Sequence, residues 1–488
     1  MVGALSLPLA FFLPLLTALA VFLLRARRAP WLPLLGGAAT AAAVADLIGQ
    51  VAREGPQVYH LGGWAPPLGI ELYADGLAAL MLGMGALVAL AVTAYSGAYL
   101  RGQGHDAELF WPLWLVQWAA LNGAFLAADL FNLYVMLELL TLTAAPLVAM
   151  GGERAALAAA LRYLLLALLG SLVYLLGVAL IYGATGTLHL REAGALLGDG
   201  PAAALAAGLI SAGLLVKAAV FPLHIWLMPA HSAAPAPASA ALSALVAKAG
   251  AYLLLRLWLW TFPALLSVPL GWLLGGLGAA GVVYGSLQAL RQTRLKPVIA
   301  YSTVAQLGYL LLLLPLATVA GAAPHAWQGA AYHALAHGLA KAAAFLAAGN
   351  VLYSLGHDRL AGLHGLTPYL SGSVLALGLA FASLMGLPPT AGFLAKWELL
   401  RGALGGGQWG WAAVIVGGGL LTAGYAFRVL AAAHAASPPG YSEIRPPRRV
   451  PPVMAWTPLL LALALYLLGL SAVPALGLLE QGAPEGLG

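Results

Sequence analysis

The sequence predicts an all-α polytopic membrane protein of about fourteen transmembrane helices. Three observations carry that expectation. The 488-residue chain is 62% hydrophobic and 8% charged, where a soluble protein carries about 25% charged residues. Its apolar residues fall in runs near the ~20 residues that cross a bilayer. Such runs must be helices, because backbone polar groups in lipid have to be satisfied internally. Its basic residues gather between alternate runs, as the positive-inside rule requires.

The runs occupy residues 5–24, 31–51, 77–100, 110–127, 130–150, 161–182, 203–228, 239–261, 270–290, 297–316, 327–353, 373–400, 409–435 and 452–472. The first does not read as a cleavable signal, since Arg25, Arg27 and Arg28 follow it and no basic residue precedes it. With the N-terminus outside, the inner loops hold most of the basic residues, including Arg445, Arg448 and Arg449 before the last run. The outer segments hold Arg53, Arg191, Arg256 and Arg401, and Arg428 lies within run thirteen. This asymmetry predicts a cell-membrane protein with both termini on the outer side. Sixty glycines suit helices that pack closely. The absence of cysteine excludes disulfides, thiolate-ligated clusters and thiolate catalysis within the chain.

Two runs are interrupted. Run seven reads LLVKAAVFPLHIWLMPAH, with Pro222 five residues after Lys217. Run twelve reads ASLMGLPPTAGFLAKWELL, with Pro388, Pro389 and Gly392 before Lys396. Proline removes a helix hydrogen bond and clashes with the preceding turn, and broken helices at membrane depth line cavities or lie buried in protein. A pair of breaks five runs apart suggests two repeats. The expected organisation is helices 1–3 at residues 1–105, a first repeat of helices 4–8 at 106–262, a second of helices 9–13 at 263–436, and a cytoplasmic loop with helix 14 at 437–488. The lysines do not superpose under this repeat, since one precedes its break and the other follows it.

The candidate functional residues are ionisable groups inside these runs. Four of the five lysines, Lys217, Lys248, Lys341 and Lys396, sit in apolar surroundings, while Lys296 has Arg291 and Arg294 beside it. A charge at mid-bilayer costs roughly 2.5–3.5 kcal/mol even on lenient scales, so such residues mark proton or ion pathways. Glu138, in run five, reads either as a protonated carboxyl bonded to a neighbouring helix or as a partner for Lys217. A buried Glu–Lys pair is a protonation switch, because each charge stabilises the other while burial disfavours both. For Lys217 the alternative is snorkelling to the surface; Lys248 lies too deep for that. In run eleven, AYHALAHGLAKAAAFL places His333, His337 and Lys341 at four-residue spacing on one helical face. Histidine passes protons through its two nitrogens, and two histidines without a nearby carboxylate or cysteine are a weak metal signal, so the stripe reads as a relay with no metal. Lys396 reads as the terminal gate. Glu398, two residues on, does not face it and is either near an exit or merely packed. Asp46 and Asp129 read as interfacial caps, and His224 and His231 as an uptake path or as loop hydrogen bonding. Tyr301, Ser302, Thr303 and Gln306 either hold water between charged sites or bond helix to helix. No nucleotide motif, phosphate loop or catalytic triad is present, and no cofactor is expected.

Read together, LNGAFLAADLFNLYVMLELL, LLVKAAVFPLHIWLMPAHSAAPAPASAALSALVAKAG, RLKPVIAYSTVAQLGYLLL, HALAHGLAKAAAFLAAGN and GLPPTAGFLAKWELL resemble the proton-conducting antiporter-like subunits. That family covers Mrp-type multisubunit sodium/proton antiporters, the pumping subunits of respiratory complex I and related membrane-bound hydrogenases. The resemblance spans about residues 70–430, and two stretches look most like the D-type subunit of the Mrp antiporters. It implies fourteen helices in two inverted repeats, discontinuous at helices 7 and 12. It also implies a mid-membrane line of protonatable residues, with Glu138, Lys217, Lys248 and Lys396 at the family's positions. The implied activity is proton translocation as one subunit of a sodium/proton antiporter assembly. The alternative is a pump module of a complex I-like enzyme, with the redox centres in partner subunits. A purely structural scaffold is the third reading, and it predicts that Lys217 and Lys396 tolerate uncharged replacement.

Overall fold

A computed structural model describes residues 5–104, 107–436 and 448–484; Arg445 lies outside them. The chain opens with α1 (Ser6–Leu24) and α2 (Leu32–Glu54), which pack as a pair. A small antiparallel hairpin follows, β1 (Gln57–His60) and β2 (Glu71–Ala74), with His60 opposite Glu71. The sequence reading has no strand here. Each strand is only four residues long, and a Gly- and Pro-containing loop parts them. Four long helices come next: α3 (Gly76–Gln103), α4 (Ala107–Leu126), α5 (Leu130–Ala149) and α6 (Arg154–Thr185). A short helix, α7 (Leu190–Leu197), leads into α8 (Pro201–Lys217) and α9 (Leu227–Ala233), the two halves of predicted helix 7. Then follow α10 (Ala236–Trp260), α11 (Val268–Arg291), α12 (Leu295–Ala317) and α13 (Ala323–Leu355). Predicted helix 12 is divided into α14 (Ser371–Met385) and α15 (Ala391–Gly405). The chain finishes with α16 (Trp409–His434), α17 (Pro452–Leu470) and the short α18 (Val473–Leu478).

Twelve of these helices are long and apolar enough to cross a membrane, and α8 and α14 are shorter apolar helices. The twelve and the two broken helices together account for every run expected from the sequence. Polar side chains start several of them. Asp129 caps α5, accepting from Phe131 N and Asn132 N, and Asp75 caps α3, accepting from Ala78 N. Both satisfy amides that have no partner in the first helical turn. Arg25, Arg27, Arg28, Arg101, Arg291 and Arg294 lie at one end of the bundle, called here the basic end. The β-hairpin and α7 lie at the other. There Glu71 joins His60 and His189, at 3.1 and 3.2 Å, and so ties the hairpin to the start of α7.

The outer helices turn apolar side chains outward: Phe22, Leu165 and Leu420 are each at least 64% exposed, as a lipid-facing wall requires. The 33-residue α13 runs through the interior with nearly all of its side chains buried. Close crossings position its neighbours. A Cβ on Gly278 of α11 would lie 2.5 Å from Gly308 O of α12, and one on Gly308 would lie 2.2 Å from Gly278 O. Only glycine permits that approach, which sets α12 against its neighbours in the region where it carries polar residues.

Arg256, assigned from sequence to an outer segment, is instead buried near the end of α10. It forms a two-pronged pair with Asp75, Nη1–Oδ2 at 3.0 Å and Nη2–Oδ1 at 2.7 Å. Its guanidinium stacks over Tyr252 and Trp260. The carboxylate and the rings remove the need for water that would otherwise draw the charge outward. Replacing Asp75 by Asn leaves Arg256 buried without its counter-charge, which should cost about 3–5 kcal/mol. The thermal unfolding midpoint of the purified protein should fall, and pairing the change with Arg256→Met should recover most of the loss. Full stability in the single variant would show that the pair does not hold α3 to α10.

Candidate functional site

The lysine at the end of α8 is placed by the break that follows it. Pro222 cannot donate to a helical ladder, and Ala219 takes a left-handed conformation, φ 53°. The helix stops at Lys217, and the carbonyl of Val216 is satisfied by Trp226 Nε1 at 2.8 Å. Lys217 Nζ then reaches α5, bonding Thr141 Oγ1 at 2.7 Å and Leu137 O at 3.1 Å. Glu138 Oε1 lies 3.5 Å from the same nitrogen. The pair expected from sequence is therefore present. Tyr163 of α6, buried, faces both Thr141 and Glu138. Glu138 keeps 15% of its side chain exposed.

Gly250 of α10 packs onto the break: a Cβ there would be 2.8 Å from Ala218 N. Lys248 is thus brought beside the Lys217 turn. Residues Leu242–Val246 form a π-turn inside α10, a widening that recurs at functional sites. Lys248 Nζ bonds Ser243 O across this turn at 2.6 Å. The Ser243 hydroxyl meets Thr303 Oγ1 of α12 at 2.8 Å, and Thr303 in turn donates to Ile299 O. Lys341 of α13 donates to that same Ile299 carbonyl and to Ser302 Oγ. Lys248 and Lys341 are therefore joined through Ser243, Thr303 and Ile299 with no charged group between them.

The histidine stripe of α13 continues the line. His337 lies within electrostatic reach of Lys248, Lys341, His333 and Lys396, and its ring is 5.7 Å from that of His333. Neither ring nitrogen of His337 has a hydrogen-bond partner. His333 Nε2 donates to Gln306 O at 3.0 Å, so its Nδ1 is left bare. Gln306 Nε2 bonds Leu384 O and Thr422 Oγ1. Leu384 O also receives Lys396 Nζ at 2.7 Å. The second break thus performs a task like the first. Gly386, Pro388 and Pro389 end α14 and leave carbonyls free, and Lys396, in the first turns of α15, binds them. Its ammonium also stands 4.4 Å from the centre of the Tyr309 ring. A cavity of about 320 Å³ between α14, α15 and α16 reaches Lys396 and is otherwise lined by apolar groups such as Phe393, Trp397 and Phe427.

Of the residues with two sequence readings, Ser302, Thr303 and Gln306 link the charged positions, whereas Tyr301 does not. Asp129 is a cap, and Asp46 accepts from Gln50 on an exposed face. His224 stacks on Phe221 and meets Tyr284 edge-on inside the first break. Glu398 pairs with His325 and Arg401, away from Lys396.

Sequence reasoning missed a fifth buried lysine. Lys296 is 3% exposed, with Nζ bonded to Ala234 O at the end of α9. Asp358 holds its neighbourhood, accepting from Lys296 N and from Arg294 Nε. His231, fully buried and stacked on Phe345, lies within electrostatic reach of Lys296, Lys341 and Lys248. The nearby arginines made Lys296 look like a loop residue. Its place one residue before Pro297, at the start of an apolar helix, was the available signal.

The arrangement is a buried row of amines and imidazoles at mid-bundle, bridged by hydroxyls and main-chain carbonyls. A carbonyl accepts a hydrogen bond from an ammonium and from a neutral amine alike, so such a row can gain and lose protons without losing its bonds.

A model of the family described as NADH:quinone oxidoreductase/Mrp antiporter, transmembrane, matches residues 127–422. NADH-quinone oxidoreductase subunit N of Desulforudis audaxviator is 40% identical over 405 residues, 82% of this chain and 79% of that protein. The D-type subunit of the Na+/H+ antiporter of Bacillus subtilis is 30% identical over 370 residues, 74% of this chain and 73% of that one. Among solved structures, a chain of the Mrp complex from Dietzia sp. DQ12-45-1b superposes with a TM-score of 0.90 at 27% identity, covering 99% of this chain and 100% of that chain.

The hydroxyl link between α10 and α12 can be tested by stability. Thr303→Val leaves the buried Ser243 hydroxyl without that partner, at a cost of about 1–3 kcal/mol. The Ser243→Ala, Thr303→Val double variant should lose less than the two single changes summed, as read by thermal unfolding. Strict additivity would show that the two hydroxyls are not coupled.

Proposed function

The chain belongs to the NADH:quinone oxidoreductase/Mrp antiporter transmembrane family, and from that premise we propose that it is the proton-translocating subunit of a multisubunit membrane complex. The observation that carries the reading is a buried row from Glu138–Lys217 past Lys248, Lys341, His337 and His333 to Lys396, hydrogen-bonded from Lys248 to Lys341 and from His333 through Gln306 to Lys396. Protons enter near Lys217 and Lys248, cross along α13 and leave past Lys396. The Glu138–Lys217 pair senses the state of a neighbouring subunit. Fourteen crossings in two inverted repeats, residues 106–262 and 263–436, place the basic end in the cytoplasm and both termini outside. This orientation follows the distribution of arginine.

Exchange against sodium is the first reading of the driving force. It is supported by the full-length superposition on the Mrp complex chain and by the Bacillus subtilis antiporter relative. The second reading is a redox-driven pump, with the electron carriers in partner subunits, and the 40% identity to an NADH-quinone oxidoreductase subunit favours it. Either role uses the same row of residues, because this chain only has to move the proton.

Proton flux in inverted vesicles that hold the whole complex separates them. Sodium-dependent exchange without an electron donor is expected. Lys217→Ala should lower it by about 100-fold or more, the scale of losing a positioned proton-transfer group. Flux that appears only when a reductant is supplied would move the protein to the redox class. Exchange that survives the substitution would remove the lysine row from the path.

A further inference from the structure

The four-residue ladder of α13 does not stop at His333. Counting outward from Lys341, it passes His337, His333 and Gly329 and ends at His325, one turn inside the helix start. Gly329 is the only rung without a side chain. A Cβ there would lie 2.7 Å from Leu399 N and 3.0 Å from Ala395 O, so the backbone of α15 closes over the helix at that point. On the far side of this seam stands Glu398. Its carboxylate is 9% exposed, with Oε2 2.9 Å from His325 Nδ1 and Oε1 3.1 Å from Arg401 Nη1. His325 and Arg401 keep 32% and 48% of their side chains exposed, at the end of the bundle opposite the basic one. Among the described residues, these two are the charged or titratable groups bonded to Glu398. Lys396 points away, to Leu384 and Tyr309.

A surface ion pair with Arg401 would need neither burial nor a histidine. This carboxylate is nearly buried, sits one residue before the Leu399 backbone that closes over Gly329, and touches an imidazole that reaches water. Imidazole is the one side chain whose ordinary titration falls near neutrality. We propose that Glu398 and His325 are the release group of the proton path, delivering protons to water at the end opposite the basic one. The inference rests on the proton-conducting reading above. A proton arriving through the parted seam binds the Glu398 carboxylate and weakens its bond to Arg401. Transfer across the contact to His325 Nδ1 restores the carboxylate and makes an imidazolium. The part-exposed ring then turns to water, gives up the Nδ1 proton there and swings back with Nδ1 bare, so that both groups return to their starting forms.

The test uses the whole complex in proteoliposomes, with the pH of each face varied in turn. Glu398→Gln and His325→Ala should assemble, yet lose about tenfold or more in proton turnover. The dependence of turnover on pH should change at the outer face and stay unchanged at the cytoplasmic one. Free imidazole at the outer face should restore the His325→Ala complex. Wild-type turnover with unchanged pH profiles in both variants, while Lys396→Ala abolishes flux, overturns the release assignment and leaves the conducting reading standing. Lost turnover with unchanged profiles and no imidazole rescue also overturns it, since that is what a structural clamp would give. Unimpaired flux in Lys396→Ala would instead overturn the conducting reading beneath it. If Glu398→Gln does not assemble, His325→Ala with imidazole decides alone.

Discussion

Everything at the centre of this molecule depends on one bond type: a lysine amine donating to a main-chain carbonyl inside a membrane. Lys217 bonds Leu137 O, Lys248 bonds Ser243 O, Lys296 bonds Ala234 O, Lys341 bonds Ile299 O and Lys396 bonds Leu384 O. A carboxylate partner would favour the charged amine and hold its proton. A carbonyl offers a partial charge that serves either protonation state. Carbonyls inside a regular helix are already engaged by the amide four residues on. Three of the five acceptors lie where the ladder is widened or ends, while Leu137 O and Ile299 O lie within continuous helices and take the lysine as a further donor. The π-turn of α10 is one such place, and the ends of α9 and α14 are others.

The broken helix at run twelve follows from this need, since its free carbonyls take Lys396; the break at run seven instead ends the helix at Lys217, which reaches a carbonyl of α5. The two breaks solve the problem in opposite order. Lys217 is the last residue of its half-helix and reaches across to α5, while Lys396 lies just past its break and reaches back to α14. This explains why the lysines fail to superpose when the two halves of the sequence are aligned by their prolines. What the halves share is an interrupted helix beside a buried amine, not a residue position. The seams that hold them are made by glycine. Gly250 seats α10 against the first break, and Gly392 seats α15 so closely that a Cβ would fall 2.0 Å from Ser383 O.

Much of this was legible in the sequence. Apolar runs of bilayer length fixed the helices, proline fixed the interruptions, and ionisable residues in apolar surroundings marked the row. The Glu138–Lys217 pair and the α13 stripe follow from residue type and spacing alone. What was not legible has a common cause: it depends on which carbonyl or hydroxyl of another helix lies within reach. The Ser243–Thr303 contact joins residues sixty positions apart, and nothing local distinguishes those hydroxyls from ordinary interhelical ones. Arg256 and Lys296 were misjudged for the converse reason. Charged neighbours make Lys296 resemble a solvated loop residue, and Arg256 sits among apolar residues near the end of its run; only the tertiary partners Ala234 and Asp75 make their burial tolerable. The hairpin was missed because four-residue strands carry too short a pattern to read.

One link in the row differs from the rest, and it is the natural point of control. Among the five lysines only Lys217 has a carboxylate within 4 Å. Opposite charges stabilise each other's ionised forms. Drawing Glu138 away from Lys217 would therefore release a proton that no motion along the carbonyl-bonded part of the row could release as sharply. Gly250 holds Lys248 against the same turn as Lys217, and Lys248 is joined to Lys341 through Ser243, Thr303 and Ile299. The carbonyl-bonded groups need not rearrange to respond, since their bonds hold in either protonation state. A single charge-locked pair at one end therefore stands before a row whose bonds are indifferent to charge.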